Sequence, residues 1–67
     1  MSVRETIKDL LQHSLDHAED AINRAQYQLT RMPFDHDTRD ALEDVYKPWR
    51  ERTKEAINYL NEHPEIP

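Results

Sequence analysis

Apolar residues in the first half of the chain recur with the period of a helix that packs lengthwise against another helix. Between Leu11 and Met32 they are separated alternately by four and three residues. The positions are Leu11, Leu15, Ala18, Ile22, Ala25, Leu29 and Met32. An average spacing of 3.5 residues keeps one narrow stripe facing a neighbouring helix. The pattern therefore predicts one long helix with a single packing stripe.

Both ends of this helix are marked in the sequence. Ser2 and Glu5 have the spacing of a capping box, in which the Ser2 hydroxyl accepts a hydrogen bond from the amide of Glu5. Pro33 biases Met32 away from helical backbone angles. We therefore predict that the first helix covers about residues 3–32.

A loop over residues 33–36 is predicted to reverse the chain. Asp35, Asp37 and Thr38 are each suitable N-caps for a second helix. Phe34 is predicted to fold back over the open end of the hairpin, and the alternative is an exposed contact for a partner. Because the connection is so short, the two long helices should be antiparallel neighbours.

The second half of the chain repeats the same alternation of steps. The positions are Leu42, Tyr46, Trp49, Thr53, Ala56, Leu60 and His63. Pro48 lacks an amide hydrogen, and inside a helix its ring clashes with the carbonyl of Asp44. Because the stripe passes through Pro48 in phase, the sequence favours a kinked continuous helix over about 37–62, followed by a tail over 64–67. The alternative is a break with a new helix beginning at Pro48.

These elements predict an all-α fold, an antiparallel two-helix hairpin in a single domain over residues 1–67. Glycine is absent, which leaves almost no room for tight turns between strands. A chain of 67 residues of which only 36% are hydrophobic is near the lower limit for folding unaided. We therefore expect a homo-oligomer, with a dimeric four-helix bundle favoured.

A second set of apolar residues flanks the packing stripes. Its members are Val3, Ile7, Leu10, Ser14 and Ala21 on the first helix and Ala41, Val45, Ile57 and Tyr59 on the second. In a hairpin the start of one helix lies beside the end of the other, so Ile7, Leu10, Ile57 and Tyr59 are predicted to form one apolar surface. Such a surface marks an interface, either with a second copy of the chain or with a different protein.

Charge and composition narrow the class of partner. The net charge of −5 argues against direct binding to nucleic-acid phosphates. The chain has no apolar run of membrane-spanning length and no signal-peptide core. Cysteine is absent, which fits a reducing compartment. We expect a soluble cytoplasmic protein without membrane association.

Residues 46–54 have the most unusual composition in the chain. They include four of the nine basic residues and two of the five aromatic residues. Aromatic faces can stack on a base, and Arg and Lys can bind phosphate. The candidate residues for binding a ligand or partner are Tyr46, Lys47, Trp49, Arg50, Arg24 and Arg31. The preferred interpretation is that the aromatic residues belong to the core and that the cations pair with Glu43, Asp44, Glu51 and Glu55. A nucleotide or anion site and a basic–aromatic contact surface for a protein are the alternatives.

His13 and His17 are one helical turn apart, and such a pair can bind a divalent metal if further ligands arrive. No cysteine or third histidine is near them in sequence, so a solvated acidic face is the preferred interpretation, and no metal or cofactor is predicted. The cluster Asp35, His36 and Asp37 is explained by helix capping. Neither a nucleophile–base arrangement nor a glycine-rich phosphate loop is present. We predict no enzymatic activity.

The predicted function is that of a small non-enzymatic regulator or inhibitor that docks on another macromolecule. A phage-encoded antagonist of a host system is one origin that fits a chain of this length. The alternative is an oligomer that sequesters a nucleotide or a similar anion. A third hypothesis is a metal-dependent switch at His13 and His17.

Overall fold

The computed structural model describes residues 2–65, which form two helical arms joined by a short loop. The first arm is helix α1, Val3–Arg31. The second arm comprises helix α2, His36–Ala41, a π-helical segment, Leu42–Tyr46, and helix α3, Lys47–Glu62. The arms pack antiparallel in a body with extents of 48 × 17 × 13 Å. The all-α hairpin predicted from the sequence is therefore confirmed, while residues 66 and 67 of the predicted tail lie outside the described residues.

The N-caps of both arms are held as the sequence indicates. The Ser2 hydroxyl accepts a hydrogen bond of 3.1 Å from the amide of Glu5. Of the three candidates for the second cap, Asp35 is the residue used, and its carboxylate accepts from the amide of Thr38 at 3.1 Å. Both contacts satisfy amides that have no partner within the helix itself.

Helix α1 ends at Arg31, one residue earlier than predicted, and this changes the position of Met32. The backbone of Met32 has left helical angles, with φ −132° and ψ 77°. Its side chain therefore no longer projects along the packing stripe and is 55% exposed. The prediction that Met32 belongs to the stripe is wrong.

The second arm continues through Pro48, as the kinked-helix prediction requires. The amide of Lys47 bonds to the carbonyl of Leu42, five residues back, and Pro48 lies in the first turn of α3. The π-segment thus lies just before Pro48, whose ring would clash with the carbonyl four residues back in a regular α-helix. Since Pro48 has no amide hydrogen, one backbone hydrogen bond between the π-segment and α3 is missing.

The core is a thin double row between the arms. All of its buried residues come from the predicted stripes: Ala18, Ile22, Ala25, Leu42, Thr53 and Leu60. At its centre Ile22, Ala25 and Leu42 form one cluster, against which Leu29 and Tyr46 pack. Among residues 2–65, no large side chain is completely enclosed. The hairpin thus buries only one narrow stripe from each arm.

At the end of the hairpin away from the loop, Arg4 connects the two arms. Its guanidinium donates to the carbonyl of His63 at 2.9 Å and to the carbonyl of Leu60. Leu60 belongs to the last turn of α3 and His63 follows the helix as its C-cap. Carbonyls at this end lack the α-helical donor that they would have inside the helix, although the Leu60 carbonyl also accepts from the amide of His63 at 3.4 Å. A positive charge is also favourable at this end of the helix dipole. Arg4 therefore acts as a C-cap supplied by the other helix.

Candidate functional site

An open groove runs between α1 and the second arm beside the π-segment, and its volume is about 700 Å³. Its floor is formed by Ala21, Ala25 and Ala41, whose small side chains leave space between the arms. Aromatic and polar side chains form the walls: His17, Asp20, Arg24, Gln28, Asp37, Thr38, Tyr46 and Trp49. The groove therefore brings together three of the six predicted binding residues, namely Arg24, Tyr46 and Trp49.

The indole of Trp49 is fixed at the edge of the groove by a polar network. Its Nε1–H donates to the hydroxyl of Ser14 at 2.8 Å. The Ser14 hydroxyl lies 3.5 Å from that of Thr53, which donates to the carbonyl of Trp49 at 2.9 Å. Trp49 is half-buried, so one side of its ring packs between the arms and the other faces the groove. The sequence did not indicate the role of Ser14, which it placed only in the flanking apolar stripe.

The cations expected to bind an anion lie beside carboxylates. Arg24 pairs with Asp20 at 3.0 Å, Lys47 with Glu43 at 2.7 Å, and Arg50 with Glu51 at 3.2 Å. These exposed pairs add little to stability, but they reduce the positive potential that a phosphate would meet. Asp37 adds another carboxylate to the groove wall.

Arg31 lies outside the groove lining. Its guanidinium carbon is 5.9 Å from the centre of the Tyr27 ring, a cation–π distance. Arg31 therefore does not join Arg24, Tyr46 and Trp49 at the groove, and neither Lys47 nor Arg50 lines it.

The tip of the hairpin presents an exposed aromatic side chain. Phe34 is 84% exposed, so the prediction that it covers the end of the hairpin is wrong. The loop turns too tightly for the ring to reach back, because the amide of Asp35 already bonds to the carbonyl of Met32 at 3.1 Å. Beside the ring is a cleft of about 640 Å³ lined by residues 32–37.

Side-chain hydrogen bonds restrain the backbone of this loop. The guanidinium of Arg39 donates to the carbonyl of Pro33 at 2.8 Å. The hydroxyl of Thr38 donates to the carboxylate of Asp35 at 2.6 Å. Hydrogen bonds from the Thr38 side chain and backbone hold the pKa of Asp35 below its ordinary value, because they favour the charged carboxylate.

The two histidines considered as metal ligands lie on the exposed side of α1. Nε2 of His13 is 3.7 Å from the carboxylate of Asp9, and His17 lies in the groove wall. Within the described part of the chain, no three His, Cys, Asp or Glu side chains are grouped closely enough to hold a metal ion.

The four residues predicted to form one apolar surface are divided by the fold. Leu10 and Tyr59 are 65% and 55% exposed, whereas Ile7 and Ile57 are half-buried. Residues that are two positions apart in a helix differ by about 200° around its axis. Ile57 and Tyr59 therefore project from opposite sides of α3. The ring of Tyr59 stacks on that of His63 with centroids 3.9 Å apart.

Comparison with protein-family models, curated proteins and solved structures gave no match. Within residues 2–65, neither α1 nor α3 contains an apolar stretch long enough to cross a membrane.

Proposed function

We propose that this protein is a non-enzymatic regulator or inhibitor that acts in the cytoplasm by docking on another macromolecule through the tip of its hairpin. The observation that carries the proposal is the exposure of Phe34, at 84% the highest among the large apolar residues in the described part of the chain. Buried aromatic anchors commonly dominate the energy of a protein interface. An aromatic ring that the hairpin leaves uncovered is a candidate for such an anchor.

The rigidity of the loop supports this proposal. Hydrogen bonds from Arg39 to Pro33 and from Thr38 to Asp35 restrain the backbone on both sides of the ring. Because the loop is already ordered, binding costs less conformational entropy than it would for a flexible segment.

Charge at the tip indicates the chemistry of the partner. Asp35, Asp37 and Asp40 accompany a single arginine, Arg39, over residues 35–40. A site on a partner protein that combines an apolar pocket with a basic rim would complement this arrangement. The proposed partner is therefore a protein with such a pocket.

A comparison of Phe34→Ala with Tyr27→Ala tests the docking proposal. Tyr27 is also an exposed aromatic residue, at 64%, but it lies on α1. Proteins captured from the native cell would be identified and purified, and their affinities for each variant measured by calorimetry. We expect Phe34→Ala to weaken binding at least about 30-fold, as for an interface hot spot, and Tyr27→Ala to change it by less than about threefold. Equal affinities for both variants and the wild type would contradict the proposal.

The alternative function, sequestration of a nucleotide, is supported by the position of Tyr46 and Trp49 on the same groove. It is weakened by the carboxylates beside Arg24, Lys47 and Arg50. Thermal unfolding with a panel of nucleotides separates the two functions. A nucleotide-dependent rise in melting temperature that Trp49→Ala abolishes would favour sequestration, whereas docking through the tip predicts no rise.

We also propose that the chain works as a homo-oligomer, with a dimer favoured. The hairpin exposes 5156 Å², whereas a globular monomer of 8.1 kDa exposes roughly 4,500 Å². The excess of roughly 650 Å² approaches the ~800 Å² that each partner buries in a standard interface. The mass in solution as a function of concentration tests this proposal.

A further inference from the structure

We infer that a second copy of this chain covers the groove, in an antiparallel dimer in which Leu10 and Tyr59 of each copy lie over the groove of the other. This inference rests on the proposed self-association and identifies the surface that performs it. It is carried by the continuity of one apolar face, by the position of the groove within that face, and by the distribution of charge.

On α1 the apolar face runs from the N-terminus to the groove. Leu10, Ser14, His17 and Ala21 follow at steps of four, three and four, so they project from the same side of the helix. Ser14 bonds to Trp49, and Ala21 belongs to the groove floor. Leu10 therefore continues the groove toward the end of the hairpin away from the loop, with Val3 a further seven residues back.

The second arm contributes a matching row to the same face. Ala41, Val45 and Trp49 are four residues apart, and Ala41 and Trp49 both line the groove. Ala56 and Tyr59 extend the row along α3 at steps of seven and three. Four of the seven large apolar side chains exposed within residues 2–65 thus lie on this face: Val3, Leu10, Val45 and Tyr59. We call this side of the hairpin the groove face.

The groove face is complementary to itself when two copies run in opposite directions. Its protruding side chains, Leu10 and Tyr59, lie near one end, and its concave part lies toward the other. Leu10 and Ala21 are about 16 Å apart along α1 at 1.5 Å per residue. A twofold axis midway between them places Leu10 of each copy over Ala21 of the other, as an isologous interface requires.

Charge favours the antiparallel arrangement over a parallel one. The loop end carries Asp35, Asp37 and Asp40, so two loops side by side would repel each other. In the antiparallel dimer the loops lie at opposite ends of a body 48 Å long, far beyond the screening length of ~8 Å at physiological salt. A parallel dimer would also oppose Leu10 to Leu10 and leave both grooves open.

Disulfide trapping in a glutathione redox buffer tests this geometry, because the native chain has no cysteine. The proteins Leu10→Cys and Ala21→Cys, distinguished by tags of different mass, would be mixed in equal amounts. Each carries one thiol, so every disulfide between chains reports an intermolecular contact. Glu19→Cys, which is exposed and on a different side of α1, serves as the control partner for Leu10→Cys.

If the dimer is antiparallel, the mixed disulfide between Leu10→Cys and Ala21→Cys should exceed the yield expected from random pairing of the two thiols by at least about fivefold. The mixed disulfide between Leu10→Cys and Glu19→Cys should not exceed that yield. Preferential self-linking of Leu10→Cys, or statistical proportions of all products, would overturn the inference. A protein that is monomeric by mass would instead contradict the proposed self-association itself. A dimer without the mixed disulfide would contradict only the geometry.

The single tryptophan supplies a second readout that requires no introduced cysteine. Because Trp49 lines the groove, its emission should move to shorter wavelength as the dimer forms with rising concentration. Tyr59→Ala should displace this transition to at least about tenfold higher concentration, and Tyr27→Ala should leave it in place. Emission that does not change across a demonstrated monomer–dimer transition would contradict burial of the groove.

Discussion

Arg4 is the residue whose side chain holds the open end of the hairpin together. Its guanidinium donates to the carbonyls of Leu60 and His63, so it combines hydrogen bonding with a favourable charge at the C-terminus of α3. His63 adds a local contact, since its Nδ1 lies 2.8 Å from the carbonyl of Tyr59. These contacts fix the last turn of α3 against the first turn of α1.

Replacing Arg4 by methionine should destabilise the protein while keeping much of the aliphatic packing. We expect a loss of about 2 kcal/mol, since hydrogen bonds to a charged group contribute roughly 1.5–3 kcal/mol. Urea unfolding at fixed protein concentration measures this loss. Lys8→Met removes a charge from the same part of α1 at an exposed position and should cost less than about 0.5 kcal/mol. Equal losses for the two variants would contradict the capping role of Arg4.

Asp35 links stability to pH through its cap. Hydrogen bonds from Thr38 lower the pKa of Asp35 in the folded state. The charged carboxylate therefore adds to the free energy of unfolding above the pKa that Asp35 has in the unfolded chain, and this stabilisation is lost as pH falls through its folded pKa. Asp35→Asn keeps a good N-cap but removes this titration. We expect the wild type to melt at a higher temperature than the variant at pH 6, and the difference to shrink below about pH 4.

Thr38→Val provides the control for this prediction. It removes the hydroxyl that donates to Asp35 at 2.6 Å, so the pKa of Asp35 should be lowered less in the folded state, and the acid-induced loss of stability should be smaller and complete at a higher pH than in the wild type. A difference in melting temperature between the wild type and Asp35→Asn that stays constant from pH 6 to pH 2.5 would show that the cap does not titrate as described.

At the scale of whole elements, the contact between α1 and α3 depends on a polar bridge as well as on apolar packing. Ser14 on α1 receives the indole N–H of Trp49, and Thr53 lies against the same hydroxyl. The π-segment just before α3 lets the helix continue through Pro48 while Leu42 and Trp49 both stay on the side that meets α1. The bridge therefore helps to define how α3 is rotated against α1.

A double-mutant cycle measures the strength of this bridge. Ser14→Ala should cost about 1–3 kcal/mol because it leaves the half-buried indole N–H without its partner. When Trp49→Phe has already removed the donor, Ser14→Ala should cost about 1 kcal/mol less. Urea unfolding of the four proteins gives the coupling free energy. Strictly additive losses would mean that the hydrogen bond contributes nothing to the contact between the helices.

The parts of the fold that the sequence predicted depend on short-range patterns. The packing stripes and the Ser2 cap are set by residues three or four apart, and the structure confirms the cap and the stripes except for Met32. The exposure of Phe34 and the π-segment before Pro48 depend on how the loop and the second arm fit against α1. No spacing rule covers Arg4, because its partners are 56 and 59 residues away. Of the predicted binding residues, only Arg24, Tyr46 and Trp49 line the groove. Lys47 and Arg50 pair with Glu43 and Glu51, and Arg31 lies over the ring of Tyr27.

The whole molecule is a hairpin with a core too thin for its surface. Five apolar residues are buried among those described, and two of them are alanine. Apart from Tyr27, its exposed large apolar side chains lie either on the groove face, which we assign to a second copy, or at the tip around Phe34, which we assign to a partner. An antiparallel dimer would present the two tips at opposite ends, so each dimer could engage two partner molecules.

Sedimentation equilibrium over a concentration series shows whether a second copy covers the groove face. We expect a species of about twice 8.1 kDa at micromolar concentration, which the double substitution Leu10→Glu and Tyr59→Glu converts into monomer. A protein that remains a folded monomer at every concentration up to several hundred micromolar would contradict this expectation.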